Sequence, residues 1–238
     1  MTDRERLESV LDRRVFPTVP IEFTLAWELL SVAQEIVVAF TARGNVNAGD
    51  PAYRRAALGL FARLYDDYLG TLHLAGQGLG IQAGVVLRSL TDSFYWFGYI
   101  MVDEEKRAQR GLEYLAAGWN SLKRDVPKAE QEGIEIPAAL RAEIERQAAR
   151  FPDARPKKPE RLARAAGLSD HHRQGYVPLS AIAHGEARGF LLALGADGQM
   201  LIGPRRDQWL LQIVRLAFSD FRAAARLFVE LFELGHEM

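Results

Sequence analysis

Two charged side chains interrupt a long segment that is apolar nearly all round, residues 81–102. Arg88 and Asp92 are its only charged residues and lie four positions apart, so on a helix they share one face. Burying either charge without a partner costs several kcal/mol. We therefore expect other helices to supply partners for Arg88 and Asp92. Such a pair could bind an anion through the guanidinium, take part in acid–base chemistry, or only tie helices together.

A second group of polar residues lies in YVPLSAIAHG, residues 176–185. Ser180 and His184 are again four apart, on the flank of a predicted helix that ends at Gly185. A helix C-terminus favours a protonated imidazole, so His184 either caps the helix or pairs across the bundle with a carboxylate such as Asp92. Ser180 could orient that ring, and no strained turn marks it as a nucleophile.

Metal and thiol chemistry have little basis in the sequence. The chain has no cysteine, which excludes thiol catalysis, thiolate metal sites and disulfides. Only Glu233 and His236 have the Glu-x-x-His spacing of di-iron bundles, and the adjacent His171 and His172 are typical of a solvated loop. A three-histidine site of His73, His184 and one other histidine stays open, but we predict no metal and no cofactor.

Two features bear on nucleic-acid chemistry. Arg164 with His171 is the one match to the Arg–His motif of helical ribonuclease toxins, and Gly167 interrupts it. The basic stretch RPKKPERLAR, residues 155–164, is either a solvated linker or a local patch for a phosphate backbone. It has no interleaved aromatic residues, which weakens the case for binding a single strand.

Helical periodicity dominates the chain and strand signals are nearly absent. We predict helices over residues 3–14, 21–43, 51–75, 81–102, 103–122, 137–150, 160–166, 176–184 and 204–234. Residues 81–102 are long enough to cross a bilayer, but each central charge would cost roughly 2.5–3.5 kcal/mol there. We therefore predict a buried central helix and no contact with a membrane.

The expected fold is all-α, a single-domain bundle of about six to eight helices built from the whole chain. Residues 1–20 are expected to form an N-terminal extension, and FPDARPKKP, residues 151–159, a Pro-rich loop. Residues 190–203 are ambiguous, because Asp197 and Gly198 between apolar runs favour a small β-hairpin while a helix fits nearly as well.

Composition narrows the class of protein further. The net charge is −1, which lacks the basic bias of a dedicated nucleic-acid-coating protein. A chain of 238 residues with 48% hydrophobic residues can bury a core without disulfides or metals. The N-terminal MTDRERLESVLDRR has no apolar region of the kind found in secretory signals, which predicts a cytoplasmic protein.

Two segments together resemble a known family. VVLRSLTDSFYWFGYI resembles the aliphatic-Arg-Ser-Leu-x-Glu-aromatic helix of the bacterial family called domain of unknown function 5677, and YVPLSAIAHG resembles its Tyr-x-x-Leu-Ser-x-x-x-His segment. The resemblance covers roughly residues 50–190 and implies a helical fold without an assigned activity. That family is similar in general look to HEPN-type domains, some of which are ribonucleases in defence systems. Its pattern falls on Arg88, Asp92, Ser180 and His184, with Asp92 where Glu is usual.

These observations lead to one functional prediction and two alternatives. The prediction is a non-enzymatic binding or accessory protein with a polar pocket, in which Arg88, Asp92 and His184 lie within about 4 Å of each other or of a shared ligand. The first alternative is an HEPN-like, metal-independent ribonuclease with His184 and Arg88 at an RNA-accessible cleft. The second is a homodimer formed through an exposed apolar stripe of the C-terminal helix, at Leu210, Ile213, Ala217 and Phe228.

Overall fold

The computed structural model describes residues 3–43, 50–184 and 208–234, and these residues form helices and connecting turns without a strand. The helices are α1 (Asp3–Val10), α2 (Ile21–Ala42), α3 (Ala52–Gly76), α4 (Gly80–Met101), α5 (Arg107–Gln131), α6 (Ala138–Ala149), α7 (Pro159–Ala165), α8 (the consecutive segments Ser169–His171, His172–Tyr176 and Val177–Ala183) and α9 (Gln208–Phe232). A 3₁₀ turn, Glu104–Lys106, precedes α5. The all-α prediction is confirmed, and the hairpin predicted over 190–203 lies outside the described residues.

Helix α8 is not a regular α-helix throughout. It runs as Ser169–His171, then as a π-helical turn over His172–Tyr176, then as Val177–Ala183. A π turn accommodates one more residue than an α turn, and such turns are frequent at functional sites. The π-helical turn therefore makes α8 a candidate to carry functional residues.

Helix α4 lies at the centre of the bundle, as the apolar segment predicts. It packs against α3, α5, α7, α8 and α9. Leu87, Leu90, Tyr95 and Phe97 on α4 are completely buried. The helix is apolar nearly all round because it has neighbours on nearly every side, which is the pattern of an internal helix.

Aromatic rings join α3 to α9. Phe61 of α3 stacks on Phe228 with ring centroids 4.1 Å apart, and Tyr68 stacks on Phe221 at 4.4 Å. The Tyr68 hydroxyl also donates a hydrogen bond of 2.7 Å to the carbonyl of Ala26 on α2. Aromatic pairs of this kind add about 0.5–1.5 kcal/mol each beyond the burial of their area, so three helices are fixed together at this point.

The apolar stripe of α9 is turned into the chain's own core. Leu210, Ile213, Ala217 and Phe228 are each no more than 1% exposed. The stripe that the sequence suggests as a dimer interface is therefore occupied by contacts within the monomer. The exposed stripe that would favour the dimer alternative is thus not found at these four residues, and the dimer stays a prediction.

Residues before α2 also take part in the core. Leu7, Val10, Leu11 and Phe16 are buried. The Asp12 amide donates a hydrogen bond of 2.9 Å to the carbonyl of Gly76 at the end of α3. The segment expected as an extension thus packs on the bundle.

Helix α2 is the one helix, within the described parts of the chain, that is long and apolar enough to cross a membrane. Its outer face carries Ile21, Leu25, Val32 and Val38, all exposed. The core helix of a soluble protein meets the same criteria, so length and hydropathy alone decide nothing. The sequence analysis considered residues 81–102 as the segment long enough to span a bilayer. Those residues form α4, whose polar and glycine residues lower its mean hydropathy.

Helix α5 is longer than predicted. A loop containing Pro127 was expected after Leu122, but α5 continues through the proline to Gln131. It ends where Gly133, at φ +79°, lets the Ile134 amide bond the carbonyl of Ala129 at 2.9 Å. This is a Schellman ending, which requires a left-handed residue. Pro127 removes one backbone hydrogen bond and crowds the carbonyl of Lys123, yet the helix continues past it to Gln131.

Helix α5 passes unusually close to the start of α3. A methyl group added at Gly111 would lie 2.5 Å from both the Cα and the backbone nitrogen of Tyr53. The two backbones therefore touch at Gly111, and this contact fixes where α5 and its aromatic side chains lie.

Candidate functional site

The structure brings together two of the four residues that the sequence singles out. Arg88 Nη2 lies 3.9 Å from Asp92 Oδ2, and both side chains are about 30% exposed, at 27% and 31%. Ser180 is half-buried on α8, and His184 is exposed at its end. Among the described residues, no side-chain hydrogen bond joins His184 to Arg88 or Asp92. A ligand-binding role for these residues stays a prediction.

Tyr176 and His172 of α8 occupy the position beside Arg88 and Asp92 that was expected for His184. Arg88 Nη2 donates a hydrogen bond of 3.0 Å to the Tyr176 hydroxyl, and that hydroxyl in turn hydrogen-bonds Asp92. The His172 ring stacks on the Tyr176 ring, with centroids 5.1 Å apart and planes 18° apart. The Tyr176 hydroxyl thus bridges Arg88 and Asp92. Tyr176 is also the first residue of YVPLSAIAHG, the second polar segment noted in the sequence.

The environment of Asp92 and Tyr176 favours the protonated form of each side chain. Burial raises the pKa of the Asp92 carboxyl, although the hydrogen bond from Tyr176 and the charge of Arg88 oppose that rise. Burial and the charge of Asp92 raise the pKa of Tyr176 to about 12. Tyr176 therefore remains a hydroxyl donor at neutral pH.

The guanidinium of Arg88 is only partly satisfied. Its Nε is buried and has no hydrogen-bond partner in the described parts of the chain. The 3.9 Å separation from Asp92 exceeds the length of a hydrogen bond. A buried donor left unpaired costs about 1–3 kcal/mol. Since Nε is buried while the Arg88 side chain is 27% exposed, the capacity to bind a further acceptor lies with the η nitrogens.

A second polar network lies behind the first and is fully buried at its centre. His171 Nε2 lies 2.7 Å from Asp220 Oδ1, and His171 Nδ1 lies 2.9 Å from the Tyr95 hydroxyl. Thr91 Oγ1 donates to the second oxygen of Asp220 at 2.9 Å. Asp220 is 1% exposed and Tyr95 is completely buried. The network joins α4, α8 and α9.

Sequence reasoning missed this network. It assigned His171 to a solvated loop, whereas the His171 side chain is only 20% exposed. Asp220 offered a signal, because it follows Ile213 by seven positions and sits between Ala217 and Ala224 on the apolar stripe of α9. An acid at a core position needs a partner, and His171 is that partner.

The connectivity Asp220–His171–Tyr95 is that of a catalytic triad, but its position is not. In a triad the terminal hydroxyl faces substrate, whereas here Tyr95 is sealed in the core and burial raises its pKa. His171 also lines a cavity of about 240 Å³ between α8 and α9. Since both ring nitrogens are engaged, only carbon atoms of the ring remain to face that cavity. The network therefore positions helices.

The His171–Asp220 pair makes stability depend on pH. Burial alone would lower the pKa of His171, but the hydrogen bond and the charge of Asp220 raise it overall above its ordinary value of 6.5. A raised pKa means that the folded chain binds a proton more tightly, so the stabilisation is complete below about pH 6.5 and is lost as pH rises through the folded value. We expect the free energy of unfolding, measured with urea, to fall from pH 6 to pH 9.

The variant His171→Gln serves as the control for that pH dependence. It retains a side chain that can hydrogen-bond Asp220 but cannot titrate. We expect a flatter profile over the same range, and a slope equal to that of the wild type would assign the pH dependence to other groups.

No group of three or more histidine and carboxylate side chains lies close enough to hold a metal ion in residues 3–43, 50–184 and 208–234. Within those residues, no such cluster supports the three-histidine site of His73, His184 and one other histidine.

Comparison with known proteins gives one match. The model of a family of unknown function, DUF5677, matches residues 54–201. The matched region includes Arg88, Asp92, His171 and Tyr176 but not Asp220. No curated protein and no solved structure matches the chain.

Proposed function

The chain belongs to the DUF5677 family, whose function is unknown, and on that premise we propose that it is a binding module for a small polar ligand held between Arg88 and Asp92. The ligand would supply an acceptor, such as a carboxylate oxygen, to the guanidinium. It would also supply a donor, such as an ammonium or amide N–H, to Asp92. Both demands follow from the chemistry of the two side chains.

The observation that carries the proposal is the open pair of Arg88 and Asp92. A purely structural ion pair is expected to close to hydrogen-bonding distance. This pair stays at 3.9 Å, and both side chains remain in contact with solvent. A ligand that bridges the two groups would satisfy both.

Two further features support a preorganised site. The stacked rings of His172 and Tyr176 form one wall, and Tyr176 holds Arg88 by its hydroxyl. Behind them, the His171–Asp220 pair fixes α8 and α9 against α4. Binding groups supported by a rigid second layer lose less entropy when a ligand arrives.

The test is a thermal-shift series with L-glutamate, glycine and inorganic phosphate. Glutamate and glycine carry both an acceptor and a donor, and phosphate is chiefly an acceptor. We expect the two amino acids to raise the melting temperature more than phosphate does. A ligand at a hundred times its Kd adds about 2.7 kcal/mol of stability, which a thermal shift detects readily.

Matched variants make the result specific. Arg88→Met and Asp92→Asn should each abolish the shift. Arg164→Met is the control, because Arg164 pairs with Glu160 at the same four-residue spacing but fully on the surface. If Arg88→Met and Arg164→Met respond to the probes alike, the site is not at Arg88.

A metal-independent ribonuclease is the second candidate. The exposure of His184 favours it, since an RNA-cleaving histidine must be accessible. The Arg164–His171 motif does not favour it, because both nitrogens of His171 are engaged. Cleavage of a single-stranded RNA by the wild type, with loss of cleavage in His184→Ala, would replace the binding-module proposal.

A further inference from the structure

A separate cavity of about 460 Å³ opens between α3, α4, α5 and the segment before α7. Its walls include the aromatic residues Trp96, Tyr114 and Trp119 together with Leu115 and Leu122. A cavity of this volume is within the range that holds small ligands. Arg63 links this cavity to the pair described above, because its charge also acts on Asp92. Trp96 lies one helical turn after Asp92 on α4.

The walls offer aromatic faces and edges from two helices. Trp96 of α4 meets Tyr114 of α5 edge to face, with ring centroids 5.1 Å apart. All three aromatic side chains in the cavity are partly exposed. Leu122 nearby is 48% exposed. Such surfaces are suited to a flat apolar ring.

The mouth of the cavity is basic. The Arg63 side chain, 61% exposed, lines one side and lies 3.7 Å from the carboxylate of Asp67. Arg124 donates a hydrogen bond of 3.0 Å to Ser121, which also lines the cavity. Pro156 lines another side, and its neighbours in the chain are Arg155 and Lys157. Lys157 pairs with Glu113 at 3.2 Å, while Arg155 is exposed and has no ion pair with any described residue. Near the cavity, Arg124 and Arg155 are therefore the cations that have no ion pair with any described residue.

The fold places aromatic residues beside the basic stretch, residues 155–164, which has none of its own. Residues 155–164 have no aromatic residues among their arginines and lysines, which made them a weak candidate for binding a single strand. In the folded chain, Pro156 lies in the same cavity wall as Trp96 and Trp119. Aromatic stacking surfaces bordered by cations are the combination that binds bases and phosphates in single-stranded nucleic acids.

We propose that this cavity binds a nucleotide, with the base stacked against Trp119 and Trp96 and the phosphate at the basic rim. The cavity has room for about one such unit. The overall charge of −1 also argues for a single nucleotide, free or in a short stretch of strand, over a long nucleic-acid track. The site is independent of Arg88, so either proposal can fail without the other.

The test is isothermal titration calorimetry with adenosine 5′-monophosphate, adenosine, inorganic phosphate and a single-stranded oligoadenylate. We expect the monophosphate to bind more tightly than adenosine or phosphate alone, since only it reaches both the rings and the rim. Tighter binding of the oligoadenylate would identify RNA as the source of the nucleotide, and equal binding would identify the free nucleotide. Failure of both to bind overturns the proposal.

Variants locate the site. Trp119→Ala should weaken binding of the monophosphate about 5- to 150-fold, the range for loss of one stacked base, while Trp119→Phe should retain most of it. Arg155→Gln should weaken the monophosphate but not adenosine. Arg88→Met should leave all affinities unchanged, which separates this cavity from the Arg88–Asp92 site. Wild-type affinity in Trp119→Ala, with circular dichroism unchanged, would overturn the assignment.

Discussion

Replacing Asp220 by alanine is expected to lower the free energy of unfolding by about 3–5 kcal/mol, the cost of removing one partner from a buried ion pair. Asp220 is 1% exposed and accepts hydrogen bonds from His171 at 2.7 Å and from Thr91 at 2.9 Å. Without it, His171 Nε2 would face a cavity in the core without an acceptor. Urea unfolding at pH 7, followed by circular dichroism, measures the loss.

The triple variant His171→Leu, Asp220→Val and Tyr95→Phe tests the reason for that loss. Replacing a buried pair by apolar residues of similar volume is often neutral or stabilising, and Tyr95→Phe removes the buried hydroxyl that would lose His171 as its partner. The triple variant should therefore recover most of the stability that Asp220→Ala loses. If Asp220→Ala costs less than about 1 kcal/mol, the network is not what holds α8 and α9 to α4.

Gly111→Ala is the second change with a large expected effect, a loss of about 1–3 kcal/mol or more. The new methyl group would lie 2.5 Å from the Cα and nitrogen of Tyr53, which are backbone atoms and cannot rotate away. Helix α5 would have to shift, and Tyr114 and Trp119 would move with it. We therefore also expect weaker binding of adenosine 5′-monophosphate in this variant.

Gly59→Ala is the matched control. Gly59 is exposed in the middle of α3, and a methyl group there meets nothing within 4 Å. Alanine is the better helix former by about 0.8–1 kcal/mol, so this variant should be more stable than the wild type. The same substitution is thus expected to have opposite signs at the two glycines, and equal effects on the urea midpoint would rule out the close contact at Gly111.

Much of the fold could be predicted from the sequence, because the spacing of apolar residues shows which face of each helix is buried. The central helix was expected at 81–102 and is found at Gly80–Met101, and the long second helix was expected at 21–43 and is found at Ile21–Ala42. The end of α5 was missed because a proline near a helix end carries less weight than the left-handed glycine that stops the helix at Gly133.

The candidate site was harder to predict, for a physical reason. The spacing of Arg88 and Asp92 is a local property of one helix, and the structure has them on one face at 3.9 Å. The pairing of His171 with Asp220 joins residues 49 positions apart and depends on how two helices pack. No local pattern encodes such a contact, so the histidine that pairs in the core was passed over in favour of His184.

The π-helical turn over His172–Tyr176 changes how this site should be sought in other chains. His171 and Tyr176 lie five positions apart, yet the rings of both lie 5.7 Å from the ring of Tyr95. A regular α-helix of about 3.6 residues per turn would bring residues four apart to one face instead. A relative that has lost one residue from this turn could keep the same contacts with a spacing of four. An alignment that forbids gaps inside helices would then pair the wrong residue with Tyr176.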